Sequence, residues 1–265
     1  MASPPGSSPT WGCDQVPSAT AAAWDRPPGR SGRWRLAAAL LVVLFAAAAA
    51  YALWHAGVIG PDTGVQAEDL ERVVLVAAAP DEDGAVVAQI VVLVDLGGPQ
   101  MQVAFISPAT GVSIPGTAYE TLADAYPFGG GAGVADAYAR AAGGEAPAHL
   151  TVGPEALARA VDASGGVRLT LPADMAVFDG ETLFALTEGP GRFSGAELVA
   201  VFKGAPYLTD AERAQLDAEL GHALIGLLAE WPEGGLMAAL ERADISTSMS
   251  RAASERVLES LAQVR

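Results

Sequence analysis

The chain has 265 residues, 51% of them hydrophobic, enough for one substantial buried core with accessory segments. Its 31 acidic and 15 basic residues give a formal net charge of -16, which repels a phosphate backbone and excludes a nucleic-acid binder. Cys13 is the single cysteine, so no intrachain disulfide can form.

Residues 1–33 are rich in Pro, Ser, Gly and Ala and have no hydrophobic period, the composition of a disordered tail. LAAALLVVLFAAAAAYALW, Leu36 to Trp54, is then apolar throughout, with no charge, Gly or Pro. A bilayer core of roughly 30 Å needs about 20 helical residues, and the run reaches that length once Trp34 and His55 are added. A buried core helix seldom stays apolar on every face. The apolar region of a cleaved signal peptide is shorter, about 7–15 residues, and lies nearer the N-terminus. A retained transmembrane helix over 34–56 is therefore expected. Arg26, Arg30, Arg33 and Arg35 precede it, and Asp62, Glu68, Asp69 and Glu71 follow. The arginine excess places the tail in the cytoplasm and everything after the span outside it. Residues 57–70 read as a linker and 71–265 as one extracytoplasmic domain.

Within that domain, RVVLVAAA (72–79) and AVVAQIVVLVDL (85–96) are almost continuously apolar and β-branched, as in strands buried on both faces. Asp81, Glu82 and Asp83 between them read as a solvated hairpin tip. MQVAFIS (101–107) is a third strand. TAYETLADAYPF (117–128) and GVADAYARAAG (133–143) have helix-compatible spacing, with Gly129, Gly130 and Gly131 as a flexible connection. HLTV (149–152) is a strand leading into a helix over 154–166, with Pro154 in its first turn and Gly165-Gly166 at its stop. VRLTLP (167–172) is a strand. Helices follow over 194–204, 209–231, 236–243 and 250–264, the second opened by a Thr209/Glu212 capping box. Strands and helices interleave without an internal repeat, so the fold class is α/β, with helices covering a mixed central sheet. Leu157, Val161, Val167, Leu169 and Leu171 are the expected core of the best-signalled helix–strand unit.

Residue chemistry alone offers little. GGGAG (129–133) lacks the Gly-Lys-Ser/Thr ending of a phosphate loop. His149 and His222 have no companion at ligand spacing, so no metal centre is expected. Ser107 has no Gly-x-Ser-x-Gly context for a hydrolase nucleophile. FISPATGVSIPG (105–116) leaves a strand, breaks at Pro108 and again at Pro115-Gly116, and holds no ionisable side chain.

Order and spacing of these segments resemble the LytR-CpsA-Psr family of cell-envelope proteins over most of residues 71–265. HLTVGPEALARAVDASGGVRLTLPADM (149–175) is similar to that family's strand, helix and strand, in which a helix ending V-D-x-x-G-G-V enters a strand and then a Pro. GTAYETLADAYPFGGG (116–131) is similar to its segment with an Asn-x-Ala-Tyr-x-x-Gly-Gly pattern. The resemblance implies an α/β domain that holds a polyprenyl-pyrophosphate-linked glycopolymer and transfers it to peptidoglycan. Such phosphoryl transfer needs cations on the pyrophosphate, arginines above all, and Mg²⁺ commonly helps.

The resemblance also locates the departures. Where the family carries Ser-Ile-Pro-Arg-Asp, Pro108 is followed by Ala109 and Thr110. Val87 and Gln89 stand at the Arg and Asp of an Arg-Ser-Asp-Thr motif. Lys203 and Ala205 replace two arginines, and Arg213 remains while Leu216 and Asp217 occupy an Arg-Gln pair. Gln89, Ala109, Thr110, Lys203 and Arg213 are thus the expected ligand-binding positions, and no catalytic residue is assigned. Read without the family, Lys203 is a solvent-facing helix-end lysine and Arg213 a partner of Asp210 or Asp217 on its own helix. Arg72, Arg168 and Arg192 are cations in reserve. Two functions follow. One is a degenerate domain that binds a lipid-linked or envelope ligand, or scaffolds envelope assembly, without transfer and without a cofactor. The other is a divergent phosphotransferase using Mg²⁺. The expected partners are the membrane and a polyprenyl-phosphate lipid or cell-wall glycopolymer. A role in transcription is opposed by the outward topology and the acidic charge.

Overall fold

A computed structural model describes residues 64–117, 120–232 and 234–263. The tail 1–33 and the transmembrane span expected over 34–56 lie outside these residues. Among the described residues no helix is long and apolar enough to cross a membrane. In chain order the elements are β1 (Arg72–Pro80), β2 (Val86–Asp95), β3 (Gln102–Ile106), α1 (Tyr126–Ala142), β4 (Ala148–Val152), α2 (Pro154–Ala163), β5 (Val167–Leu171), β6 (Met175–Phe178), β7 (Leu183–Leu186), β8 (Gly189–Phe193), α3 (Gly195–Gly204), α4 (Asp210–Ala229), α5 (Gly235–Glu241), β9 (Ile245–Thr247) and α6 (Arg251–Leu261).

The central sheet has the order β3-β2-β1-β4-β9. β1 is antiparallel to β2 and parallel to β4, while β3 and β9 pair antiparallel on the outside. The sheet is mixed, as the interleaved strands and helices predict. The acidic segment is the β1–β2 tip: Asp81 Oδ1 accepts the N–H groups of Asp83 (3.0 Å) and Ala85 (2.8 Å), and Gly84 supplies a φ of +84°. β1 is apolar throughout because both faces are covered. Val73, Leu75, Ala77 and Ala79 join the larger core, and Val74 and Val76 join a smaller one on the opposite face.

The larger core holds Leu157, Val161, Leu169 and Leu171, all 0–3% exposed, with Leu198, Phe202, Leu216, Leu220, Leu224 and Val257 from α3, α4 and α6. Val167 is only partly buried against that core, because it begins β5 at the rim, where the chain has just left the α2 stop. That stop is glycine-built: Gly165 and Gly166 take φ of +76° and +95°, and the Gly166 N–H donates to Val161 O at 2.8 Å. α4 starts at the expected box, the Thr209 N–H donating to Glu212 Oε2 at 2.8 Å. A second box, Ser194/Glu197, opens α3.

Two expectations are corrected and one is refined. The helix expected over 117–128 begins only at Tyr126, and residues 120–125 are not α-helical. The Leu122 N–H donates to Thr110 O and the Ala123 N–H to Pro108 O, both at 2.9 Å, so the backbone pairs with the loop after β3 instead of with itself. Leu122 is fully buried, and one 3₁₀ turn at Ala123–Ala125 leads into α1. The glycine connection is the refined one: Gly130 (φ 56°, ψ -143°) breaks the helical path, so α1 is two helical segments meeting at a kink within the Gly129–Gly131 run. Beyond the kink, a Cβ on Gly131 would lie 1.9 Å from Thr151 Oγ1 and 2.7 Å from His149 Cδ2, so the helix lies directly on β4. Finally, β6 to β9 have no counterpart in the expected strands. They are 3–5 residues long, and β8 (GPGRF) contains residues that break strands. Cross-strand partners, not local propensity, make them extended. Residues 64–70, the end of the expected linker, pack on the domain: Val65 bridges Met249, and Leu70 is 2% exposed.

Candidate functional site

β1, β3 and β4 run in the same direction, so their C-terminal ends share one edge of the sheet. In open α/β sheets ligands bind outside such carboxyl ends, where loops meet without filling the space. Three features converge there: the hairpin tip after β1, the Ser107–Leu122 loop after β3, and the first half of α4.

Gln89 lies in a β-bulge. Ala77 pairs with Ile90 and Ala78 with Ala88, leaving Gln89 unmatched and half-buried. A bulge of this kind re-aims a side chain at a strand end. The β2–β3 register, Val91 opposite Ile106, brings Ser107 and Pro108 alongside Ile90 and Gln89. Thr110, half-buried, closes a turn through its N–H to Ser107 O at 2.9 Å, and Ala109 stands exposed at the turn's crest.

α4 passes antiparallel to β3 at close range. A Cβ on Gly221 would lie 2.1 Å from the Phe105 ring, and His222 packs a tilted ring on Phe105 at 4.5 Å between centroids. One turn nearer the strand ends, the Ser107 hydroxyl lies beside the Asp217 carboxylate and favours its ionised form. Arg213, one turn further, is half-buried and acts on Asp217. Asp217 Oδ2 is buried with no hydrogen-bond partner among the described residues. Burial pushes the Asp217 carboxyl above its ordinary range, against the opposing pull of the Ser107 hydroxyl and the Arg213 guanidinium.

Lys203 is placed differently. It sits half-buried in the last turn of α3, and its charge acts on Asp179, whose Oδ1 accepts the N–H groups of Glu181 and Thr182 at the β6–β7 tip. The Tyr207 hydroxyl just beyond lies beside Glu82, which brings this end of α3 close to the β1–β2 tip. Lys203 therefore lies at the same end of the domain, yet no contact among the described residues joins it to Arg213. The structure gathers Gln89, Ala109, Thr110 and Arg213 around Ser107 and leaves Lys203 apart, within electrostatic reach of Asp179.

Sequence reasoning did not anticipate the Ser107–Asp217 contact. Asp217 was visible only as an occupant of an expected Arg-Gln pair and as an intrahelical partner for Arg213. The contact spans 110 residues of chain, and neither residue type is distinctive alone. The groups here suit a hydroxyl-bearing ligand: a carboxyl, a serine, a threonine and an amide. Among the described residues no three His, Cys, Asp or Glu form a metal-holding group.

No family model and no curated protein sequence matches the chain. Solved structures do. A LytR-Csp2A-Psr enzyme from Actinomyces oris superposes with a TM-score of 0.50 at 17% identity, over 74% of this chain and 76% of that one. A protein described as a transcriptional regulator from Enterococcus faecalis gives 0.50 at 14%, over 72% and 71%. TagV from B. subtilis gives 0.49 at 13%, over 73% and 80%. The five-stranded mixed sheet, the helices covering it and the loops at its carboxyl edge are a divergent form of the LytR-CpsA-Psr fold.

Proposed function

We propose that this chain is a single-pass cell-envelope protein, anchored by residues 34–56 with its domain outside the cytoplasm. In this reading the domain binds a lipid-linked or envelope ligand, or scaffolds envelope assembly, without catalysing transfer. The observation that carries it is Asp217. At the edge where phosphoryl transfer would need converging cations, a half-buried carboxyl stands beside the Ser107 hydroxyl and the charge of Arg213. Lys203 acts on Asp179, and Ala109 brings no charge. A pyrophosphate placed here would meet one guanidinium, that of Arg213, beside a carboxyl that repels it once ionised. Catalysis of phosphoryl transfer rests on preorganised positive charge, and this site has little to offer. Ser107, Thr110, Gln89 and Asp217 instead present the donors and acceptors that glycan hydroxyls use.

The test is transfer of a labelled polyprenyl-pyrophosphate-linked glycopolymer to peptidoglycan by the purified full chain, with and without Mg²⁺. No transfer is expected. Asp217→Gln combined with Ala109→Arg should raise binding of the pyrophosphate lipid at least tenfold. Mg²⁺-dependent transfer by the unaltered chain would replace this reading with a divergent phosphotransferase.

A further inference from the structure

A second charge imbalance lies on the ribbon formed by β5 and β8. Its register puts Arg168 directly opposite Arg192. Leu169, Leu171 and Phe193 face the core, while Arg168, Thr170, Pro190 and Arg192 face away from it, both arginines exposed. The Thr170 N–H does not enter the ladder; it donates to Glu219 Oε2 of α4 at 3.0 Å, and the opposing Pro190 has no N–H to give. Thr170–Pro190 is thus a non-hydrogen-bonded pair. Because the two pair types alternate, Arg168–Arg192 is one as well. In such pairs the Cα atoms are only about 4.5 Å apart and side chains are at their closest.

Like charges directly opposite each other destabilise a ladder. In this chain the pairing is all the more anomalous, since acidic residues outnumber basic ones 31 to 15. Carboxylates are available, and Arg140, Arg159, Arg242 and Arg251 all find one. Among the described residues neither Arg168 nor Arg192 has an ion pair. Arg192 is nevertheless held in place: its Nη1 donates to Gly165 O at 2.8 Å, and its stem lies over Gly166. A groove of about 410 Å³ opens beside the pair, lined by Arg168, Thr170, Gly191, Arg192 and Glu219 among others.

We propose that this groove binds a phosphate ester, with the Arg168 and Arg192 guanidiniums sharing its oxygens. One carboxylate ligand would be satisfied by a single guanidinium fork, whereas two forks match the three or four oxygens of a phosphate. The bound anion removes the repulsion between the arginines. Glu219 keeps Oε1 for a hydroxyl next to the ester, which selects a sugar or polyol phosphate. The site is separate from the strand-end site and does not rest on the function proposed for it. Asp217 and Glu219 are two positions apart on α4, about 200° around the helix, and project from opposite sides.

The test uses the full chain and calorimetric titration with sn-glycerol 3-phosphate, with inorganic phosphate and with sodium chloride at matched ionic strength. Both phosphates should bind and raise the unfolding temperature, and chloride should do neither. Arg168→Gln and Arg192→Gln should each weaken glycerol phosphate at least tenfold, and Arg168→Lys by less. Arg213→Gln should leave it unchanged. In chloride alone, Arg168→Gln should unfold no lower than the parent. Short-chain phosphatidylglycerol, compared with phosphatidylcholine, separates the sources. Tighter binding of the phosphatidylglycerol than of glycerol phosphate identifies a lipid headgroup, and the reverse identifies a soluble or polymeric ester. Equal binding of glycerol phosphate by the Arg168→Gln/Arg192→Gln double variant, or equal effects of phosphate and chloride, would overturn the proposal.

Discussion

The two faces of the central sheet solve the same burial problem with different materials. On one, β4 presents Ala148, Leu150 and Val152 to a thick layer of leucines and valines from α2, α3, α4 and α6. On the other, the same strand presents His149 and Thr151 to α1, a helix rich in glycine and alanine. The first face is stabilised by apolar area, at roughly 25 cal/mol for each Å² removed from water. The second is stabilised by close backbone approach, and it keeps a buried hydroxyl, Thr151 Oγ1, without a hydrogen-bond partner among the described residues. The contrast teaches where the domain tolerates change. The thick face fails when charge enters it, and the thin face fails when volume enters it.

The largest effect should come from charge on the thick face. Val161 is fully buried in α2, and Val161→Asp places an unpaired carboxylate there. A loss of about 4–5 kcal/mol or more is expected, against a typical total of roughly 5–15 kcal/mol. Urea unfolding followed by circular dichroism measures it; a variant as stable as the parent would show that α2 does not bury this face.

Volume on the thin face comes next. Alanine is the better helix former by about 1 kcal/mol, so at an open position Gly131→Ala would stabilise. Here the new Cβ meets Thr151 and the His149 ring, and overpacking should reverse the sign, for a net loss of about 1–3 kcal/mol. Thr151→Ala should recover most of that loss in the double variant, since it removes the nearest atom. Additive losses in the double-mutant cycle would mean that α1 and β4 are not in contact at this point.

The smallest effect, a pH slope, sharpens the comparison because the faces carry opposite titrations. His149 is pushed below its ordinary range by burial, with Asp136 pulling the other way. Its unfolded value is about 6.5, so its neutral form is favoured on folding and stability falls as pH drops from there through the folded value. Asp217, beside the thick face, is pushed upward by burial. The unfolded chain ionises it near pH 3.9, so stability falls as pH rises from there through the higher folded value. Asp217→Asn should therefore gain on the parent as pH increases across that window, and His149→Gln should gain as pH decreases below about 6.5. Parallel stability–pH curves for Asp217→Asn and parent would remove the buried carboxyl from the account.

Much of this architecture was written locally. The apolar runs of β1 and β2, the Thr209/Glu212 box and the Gly165-Gly166 stop depend on residues within one or two turns of each other, so they could be read directly. The order of the 149–175 unit pointed to the fold that superposition then found. The candidate site was legible only as a set of positions: Gln89, Ala109, Thr110 and Arg213 were named, but what surrounds them was not. Only the tertiary structure decided that Asp217 meets Ser107, that Lys203 acts on Asp179, that Leu122 and Ala123 pair with a loop instead of coiling, and that Arg168 faces Arg192 across a ribbon. Each of these depends on a partner distant in sequence or on backbone hydrogen bonds between segments. Local propensity, of the order of 1 kcal/mol or less per residue, is overridden wherever such partners satisfy buried polar groups that would otherwise go unpaired.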